Sequence, residues 1–202
     1  MPAVTFEKEE EALSVAEAIL QGGLDVMEIT FRTAIAAKAI ERVRKNFPEM
    51  KVGAGTILSV EQMNEAVDAG ALFGVAPGLN AAVTRAAFKK SFPFIPGVIT
   101  SSELEKALAM GCRTVKLFPC DLGGGTALIK ALQGPYSHTG VKFMPMGGIT
   151  ISNLHQYLAY EIVAAVGGSW MADRHLIAQK EYAKIRENVR QSAEAAGVSG
   201  KG

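Results

Sequence analysis

Apolar and polar positions along the chain follow two rhythms that replace one another almost from the first residue. Short runs with an alternating, period-two pattern give way to longer stretches with the apolar spacing of amphipathic helices. The runs expected to be strands are Ala3–Phe6, Val26–Thr30, Lys51–Thr56, Leu72–Ala76, Phe94–Pro96, Thr114–Phe118, Val141–Met146 and Val163–Gly167. Helical patterns such as EEEALSVAEAILQGG and SVEQMNEAVDAG fill the gaps between them, and a last one runs from about Lys180 to Ala195.

Several units share an ending. In LQGGLDVMEIT, VDAGALFGVAP and LAMGCRTVKLFP a glycine stands between helix and strand, the place of a left-handed C-cap. A strand–helix repeat implies stacked βαβ units and a parallel sheet. Eight units fit a closed (β/α)8 barrel, an α/β TIM-barrel fold at the small end of its size range. The expected organisation is one domain over 1–202, with a Gly/Ser-rich tail after about residue 196. The rival is an open doubly wound sheet, but no GxGxxG follows the first strand.

Composition narrows the class without changing the fold. The 202 residues are 49% hydrophobic and 20% charged, suited to one good core and too few for two full-sized domains. A formal net charge of +1 and the lack of a Lys/Arg block leave no electrostatic footprint for nucleic acid. No apolar run reaches the length of a membrane span, and the start lacks a signal-peptide pattern. Cys112 and Cys120 form no CxxC pair and read as free thiols in a reducing compartment, so a cytoplasmic protein is expected.

In a barrel, chemistry sits where strands end and βα loops begin. Within Val26–Arg32, alternation puts Val26, Glu28, Thr30 and Arg32 on one face and Met27, Ile29 and Phe31 on the other. The apolar face suits the outer helices, so a carboxylate and a guanidinium point inward near the mouth. A self-satisfied Glu28–Arg32 ion pair is the simpler account, although buried pairs stabilise a core poorly. In Thr114–Pro119 the same logic turns Thr114, Lys116 and Phe118 inward. Lys116 is then either a lysine snorkelling out of the barrel end or an amine nucleophile whose pKa is lowered by desolvation and a nearby cation.

Weaker signals surround these two. Thr56 ends GAGT, where small residues admit a ligand and a hydroxyl can hold a carboxylate; Pro77-Gly78 follows the fourth strand. Gly147-Gly148 and Gly167-Gly168-Ser169 follow strands seven and eight, where barrels bind phosphate with backbone amides and the N-terminus of a short helix. The run Gly123–Gly125 reads as a lead into a helix ending at Gln133. His138, His155 and His175 lack metal-ligand spacing, and no metal or cofactor is expected.

With these residues placed, the chain resembles the 2-keto-3-deoxy-6-phosphogluconate (KDPG) and 4-hydroxy-2-oxoglutarate (KHG) aldolase family. GGLDVMEITFRT, VGAGTI, APGLN, FIPGVIT, TVKLFP, MGGI and GGSWM carry the resemblance over roughly residues 2 to 195. It implies a metal-free (β/α)8 barrel assembled as a homotrimer. It also implies a Schiff base on Lys116, acid/base work by Glu28, and a pyruvyl carboxylate held by Arg32 and Thr56. Pro77 and Phe118 would form pocket walls, and Gly147, Gly148, Gly168 and Ser169 would receive the phosphate. Two departures stand out. Met146 replaces a threonine frequent in the family, removing a hydroxyl donor, and the chain opens almost directly on a strand where relatives usually carry a helix first.

The implied reaction is cleavage of a 2-keto-3-deoxy acid phosphate to pyruvate and glyceraldehyde 3-phosphate, from the gluconate or the galactonate epimer. Cleavage of 4-hydroxy-2-oxoglutarate to pyruvate and glyoxylate is the related possibility. A sugar-phosphate isomerase or epimerase, a metal-dependent aldolase and a non-catalytic barrel are the competing readings of the same residues.

Overall fold

The computed structural model describes residues 1–198 as parallel strands joined by helices. Five strands, β1 (Ala3–Val4), β2 (Val26–Thr30), β3 (Lys51–Gly55), β4 (Phe73–Val75) and β5 (Phe94–Ile95), pair in chain order. A further three, β6 (Gly97–Val98), β7 (Thr114–Leu117) and β8 (Lys142–Pro145), form a second parallel group. β5 and β6 are halves of one barrel strand, separated by Pro96, which has no N–H to give to a ladder. The Pro96 carbonyl accepts from Lys116 N at 2.9 Å, so pairing passes through the interruption.

Residues 163–168 close the ring. Ala164 N donates to Phe143 O at 2.9 Å, Gly167 N to Pro145 O at 3.2 Å, and Ala3 N to Gly168 O at 3.0 Å. Pairing is therefore continuous around a (β/α)8 barrel, and the open doubly wound sheet is excluded because its edge strands would stay apart. The closing stretch is held by isolated bridges, which is why it pairs over less length than its apolar run predicts. The third strand stops at Gly55, not Thr56, because Thr56 turns into left-handed backbone at φ 57°.

The helices are α1 (Glu11–Gln21), α2 (Ala36–Asn46), α3 (Val60–Asp68), α4 (Ala81–Lys89), α5 (Ser101–Ala109), α6 (Gly125–Tyr136), α7 (Leu154–Leu158), α8 (Arg174–Ala178) and α9 (Tyr182–Ala195). α6 continues past Gln133, where the sequence pattern suggested an end. The three glycines between helix and strand, Gly23, Gly70 and Gly111, have φ of 92°, 86° and 91°, the left-handed turn expected of them. Most of the expected tail lies outside the described residues.

Two apolar layers hold the barrel. Met27 and Ile29 of β2 face outward into a fully buried shell with Ile19, Ile40 and Val43. Val115 and Leu117 of β7 do the same with Leu104 and Ile129. Each such side chain contributes roughly 1.5–3 kcal/mol by leaving water. Inside the barrel a smaller cluster of Val75, Met144 and Met146 packs with Phe73, Ile95 and Phe118. Met146 and Phe118 of this cluster also border the cavity into which the polar side chains of β2 and β7 turn.

Candidate active site

Alternation along β2 and β7 is realised as read. Glu28 is 1% exposed and Lys116 is 4% exposed, two ionisable side chains buried inside the barrel. Both line a cavity of about 460 Å³ that also touches Arg32 and Phe118. Gly55 makes the room: a Cβ there would lie 1.9 Å from Glu28 Oε1, so only glycine on β3 admits the carboxylate. The self-satisfied Glu28–Arg32 pair does not form. Glu28 Oε2 is buried without a hydrogen-bond partner, while the exposed Arg32 donates Nε to Thr56 Oγ1 at 3.3 Å.

The electrostatics push both groups toward neutrality. Burial raises the Glu28 pKa, against the opposing charges of Lys116 and Arg32. Burial lowers the Lys116 pKa; Glu28 opposes that shift and Arg32 reinforces it. Lys116 Nζ stands 4.9 Å from the centroid of the Phe118 ring, which holds the stem in place over an aromatic face. An amine shifted toward its free-base form beside an unpartnered carboxyl is the equipment of nucleophilic and acid/base catalysis.

The expected residues do not all share the cavity. Gly147, Gly148, Gly168 and Ser169 line its far end, as does Met146, buried beside Gly167. Gly148 lies under Asp121, whose Cβ a side chain at 148 would meet at 2.2 Å. Thr56 joins the site through Arg32 and does not line the cavity itself. Pro77, its carbonyl packed closely against Gly97, is also absent from the lining.

Thr30, which alternation along β2 turned inward, shares a buried hydroxyl–hydroxyl hydrogen bond of 2.7 Å at the cavity wall with Thr5, just past β1. Thr5 and further residues enter that sequence reasoning passed over. Asp173, Arg174 and His175 line the far end from the start of α8, a five-residue helix too short to show a period. His175, set aside as one of three scattered histidines, thus reaches the cavity. Among the described residues no group of three His, Cys, Asp or Glu side chains is placed to hold a metal ion. Nor is any helix among them long and apolar enough to cross a membrane.

This arrangement has known counterparts. The family described as "Aldolase: KDPG and KHG aldolase" matches residues 1–188. The chain belongs to that family. A 2-dehydro-3-deoxy-phosphogluconate aldolase of Treponema pallidum is 42% identical over 98% of this chain and 93% of its own. Among solved structures, KDPG aldolase of Legionella pneumophila superposes with a TM-score of 0.90 at 39% identity, over 94% of this chain and 91% of its own. That structure holds pyruvate captured as a covalent carbinolamine intermediate. The Zymomonas mobilis KDPG aldolase, solved with 3-phosphoglycerate, gives 0.89 at 33% identity, over 95% of this chain and 89% of its own.

Proposed function

We propose that this KDPG/KHG-family protein is a class I aldolase, a lyase that cleaves 2-keto-3-deoxy-6-phosphogluconate to pyruvate and glyceraldehyde 3-phosphate. The observation that carries the reading is the buried Lys116 amine, in a cavity beside a buried carboxyl with an unpartnered oxygen. Lys116 Nζ attacks the C2 ketone to give a carbinolamine, which loses water to form an iminium ion. Glu28 takes the proton of the C4 hydroxyl, the C3–C4 bond breaks, and its electron pair moves into the iminium as an enamine of pyruvate. The aldehyde leaves, Glu28 returns the proton to C3, and water releases pyruvate from Lys116. One carboxyl serving as base and then acid suits the raised Glu28 pKa.

Arg32, backed by Thr56, holds the pyruvyl carboxylate, and fixing that end orients C2 for attack. Phe118 bounds the pyruvyl end, and the glycine loops with Ser169 take the phosphate. The smaller substrate 4-hydroxy-2-oxoglutarate and the galactonate epimer make the same contacts at the pyruvyl half. Met146 leaves the distal half without the hydroxyl many relatives place there. A homotrimeric assembly in the cytoplasm belongs to the same reading and rests on the family alone; sedimentation equilibrium should give three times the chain mass, and a monomer mass removes that part.

Borohydride added with pyruvate should fix one three-carbon adduct, mapped by peptide mass to Lys116. Lys116→Ala should abolish both adduct and turnover. Labelling at another lysine, or none, is incompatible with the mechanism.

A further inference from the structure

The far end of the cavity is where the residues of this chain depart from a site built of backbone amides alone. The start of α8 is already occupied from within. Asp173 Oδ1 accepts from His175 N at 2.8 Å and Leu176 N at 3.0 Å, so those amides serve the helix cap and a carboxylate stands where an anion would come. Met146, on the neighbouring wall, offers no donor. A substrate phosphate dianion entering this end therefore meets glycine backbone, the Ser169 hydroxyl, a capping carboxylate and two further side chains, Arg174 and His175.

Of these only Arg174 brings a fixed positive charge. Its one ion pair among the described residues is long and wet: Nη2 lies 3.7 Å from Glu7 Oε1, with the two side chains 58% and 62% exposed. Such a pair contributes little and costs little to give up. A guanidinium held loosely at a cavity wall can swing onto a phosphate and meet two of its oxygens with its planar fork.

Building on the aldolase reading above, we propose that Arg174 is the residue that makes this enzyme select a phosphorylated over an unphosphorylated 2-keto acid, with His175 as an accessory donor. Neutral amides and one hydroxyl bind an oxyanion but discriminate weakly by charge. A guanidinium supplies that discrimination, and loses its use when the distal group is an alcohol.

The test compares Arg174→Gln and Arg174→Lys with the wild type on 2-keto-3-deoxy-6-phosphogluconate and on the unphosphorylated 2-keto-3-deoxygluconate. Arg174→Gln should lower kcat/KM for the phosphorylated acid about ten- to a hundredfold, the range of a charge-assisted hydrogen bond, chiefly through KM. The unphosphorylated acid should change less than about twofold on the same scale, and Arg174→Lys should recover part of the loss by keeping the charge. Calorimetry with inorganic phosphate, which needs no turnover, should show weaker binding to Arg174→Gln than to wild type. Equal losses on both substrates, or equal phosphate binding by wild type and variant, overturn the assignment. Absence of the pyruvate adduct on wild-type Lys116 overturns the aldolase reading instead, and leaves the phosphate comparison to decide Arg174. Since Arg174 is exposed, its replacement does not endanger folding.

Discussion

Lys116 and Glu28 face each other across a boundary that neither would cross alone. A buried ammonium and a buried carboxylate each lose hydration, and here no direct hydrogen bond repays Glu28 Oε2. Each group is driven toward its neutral form, while each holds the other part-way back by opposite charge. The sign of each neighbour's effect on imine formation follows. With neutral Lys116 as the proposed nucleophile, adduct formation with pyruvate should fall as pH drops through the Lys116 pKa. Glu28→Gln removes the anion that raises that pKa, and the acidic limb should move to lower pH. Arg32→Gln removes a cation that lowers it, and the limb should move to higher pH, even though weaker pyruvate binding reduces the yield at every pH. Borohydride trapping across a pH series reads both limbs. Movement in the same direction, or no movement, contradicts an electrostatic coupling among these three groups.

At the scale of elements, what was legible followed from periodicity. β2 and β7 read correctly because one face of each is apolar and meets helices, so alternation alone decides which side chains turn inward. The α5 boundary is similarly written in local chemistry. Thr100 and Glu103 form a reciprocal capping box, with Glu103 Oε2 accepting from Ile99 N and Thr100 N at 2.9 Å. Other features had no periodic trace. The strand expected to end at Pro96 continues to Val98 on the far side of the proline, because its two halves pair with different neighbours. α8 is a single short turn whose only sequence signal is the capping Asp173. The far end of the site is built on that turn, which is why Arg174 and His175 went unread while Lys116 and Glu28 did not. Thr56 is a third kind of case: GAGT marked it only weakly, its hydroxyl accepts from Arg32, and its left-handed backbone left no trace in the sequence, since glycine and asparagine are the residues normally expected there.

For the molecule as a whole, a formal net charge of +1 conceals an uneven distribution. At the cavity, Glu28 and Lys116 are buried and shifted toward neutrality, and the Asp173 carboxylate is bound to the amides of α8. Two exposed guanidiniums, Arg32 and Arg174, line the cavity. A substrate with a carboxylate at one end and a phosphate at the other carries the opposite charge at both ends, and should be drawn in by them. Added potassium chloride shortens the screening length from about 30 Å at 0.01 M to about 8 Å at physiological ionic strength. Over that range kcat/KM for the phosphorylated acid should fall, while kcat, set within the closed and buried chemistry at Lys116, stays level. The unphosphorylated acid should show a shallower decline, because on the proposed roles it keeps the carboxylate for Arg32 and lacks the charge for Arg174. Arg174→Gln should flatten the phosphorylated substrate's dependence onto the unphosphorylated one. If the two substrates decline in parallel in the wild type, the mouth attracts both through the carboxylate end alone, and the distal charge plays no part in capture.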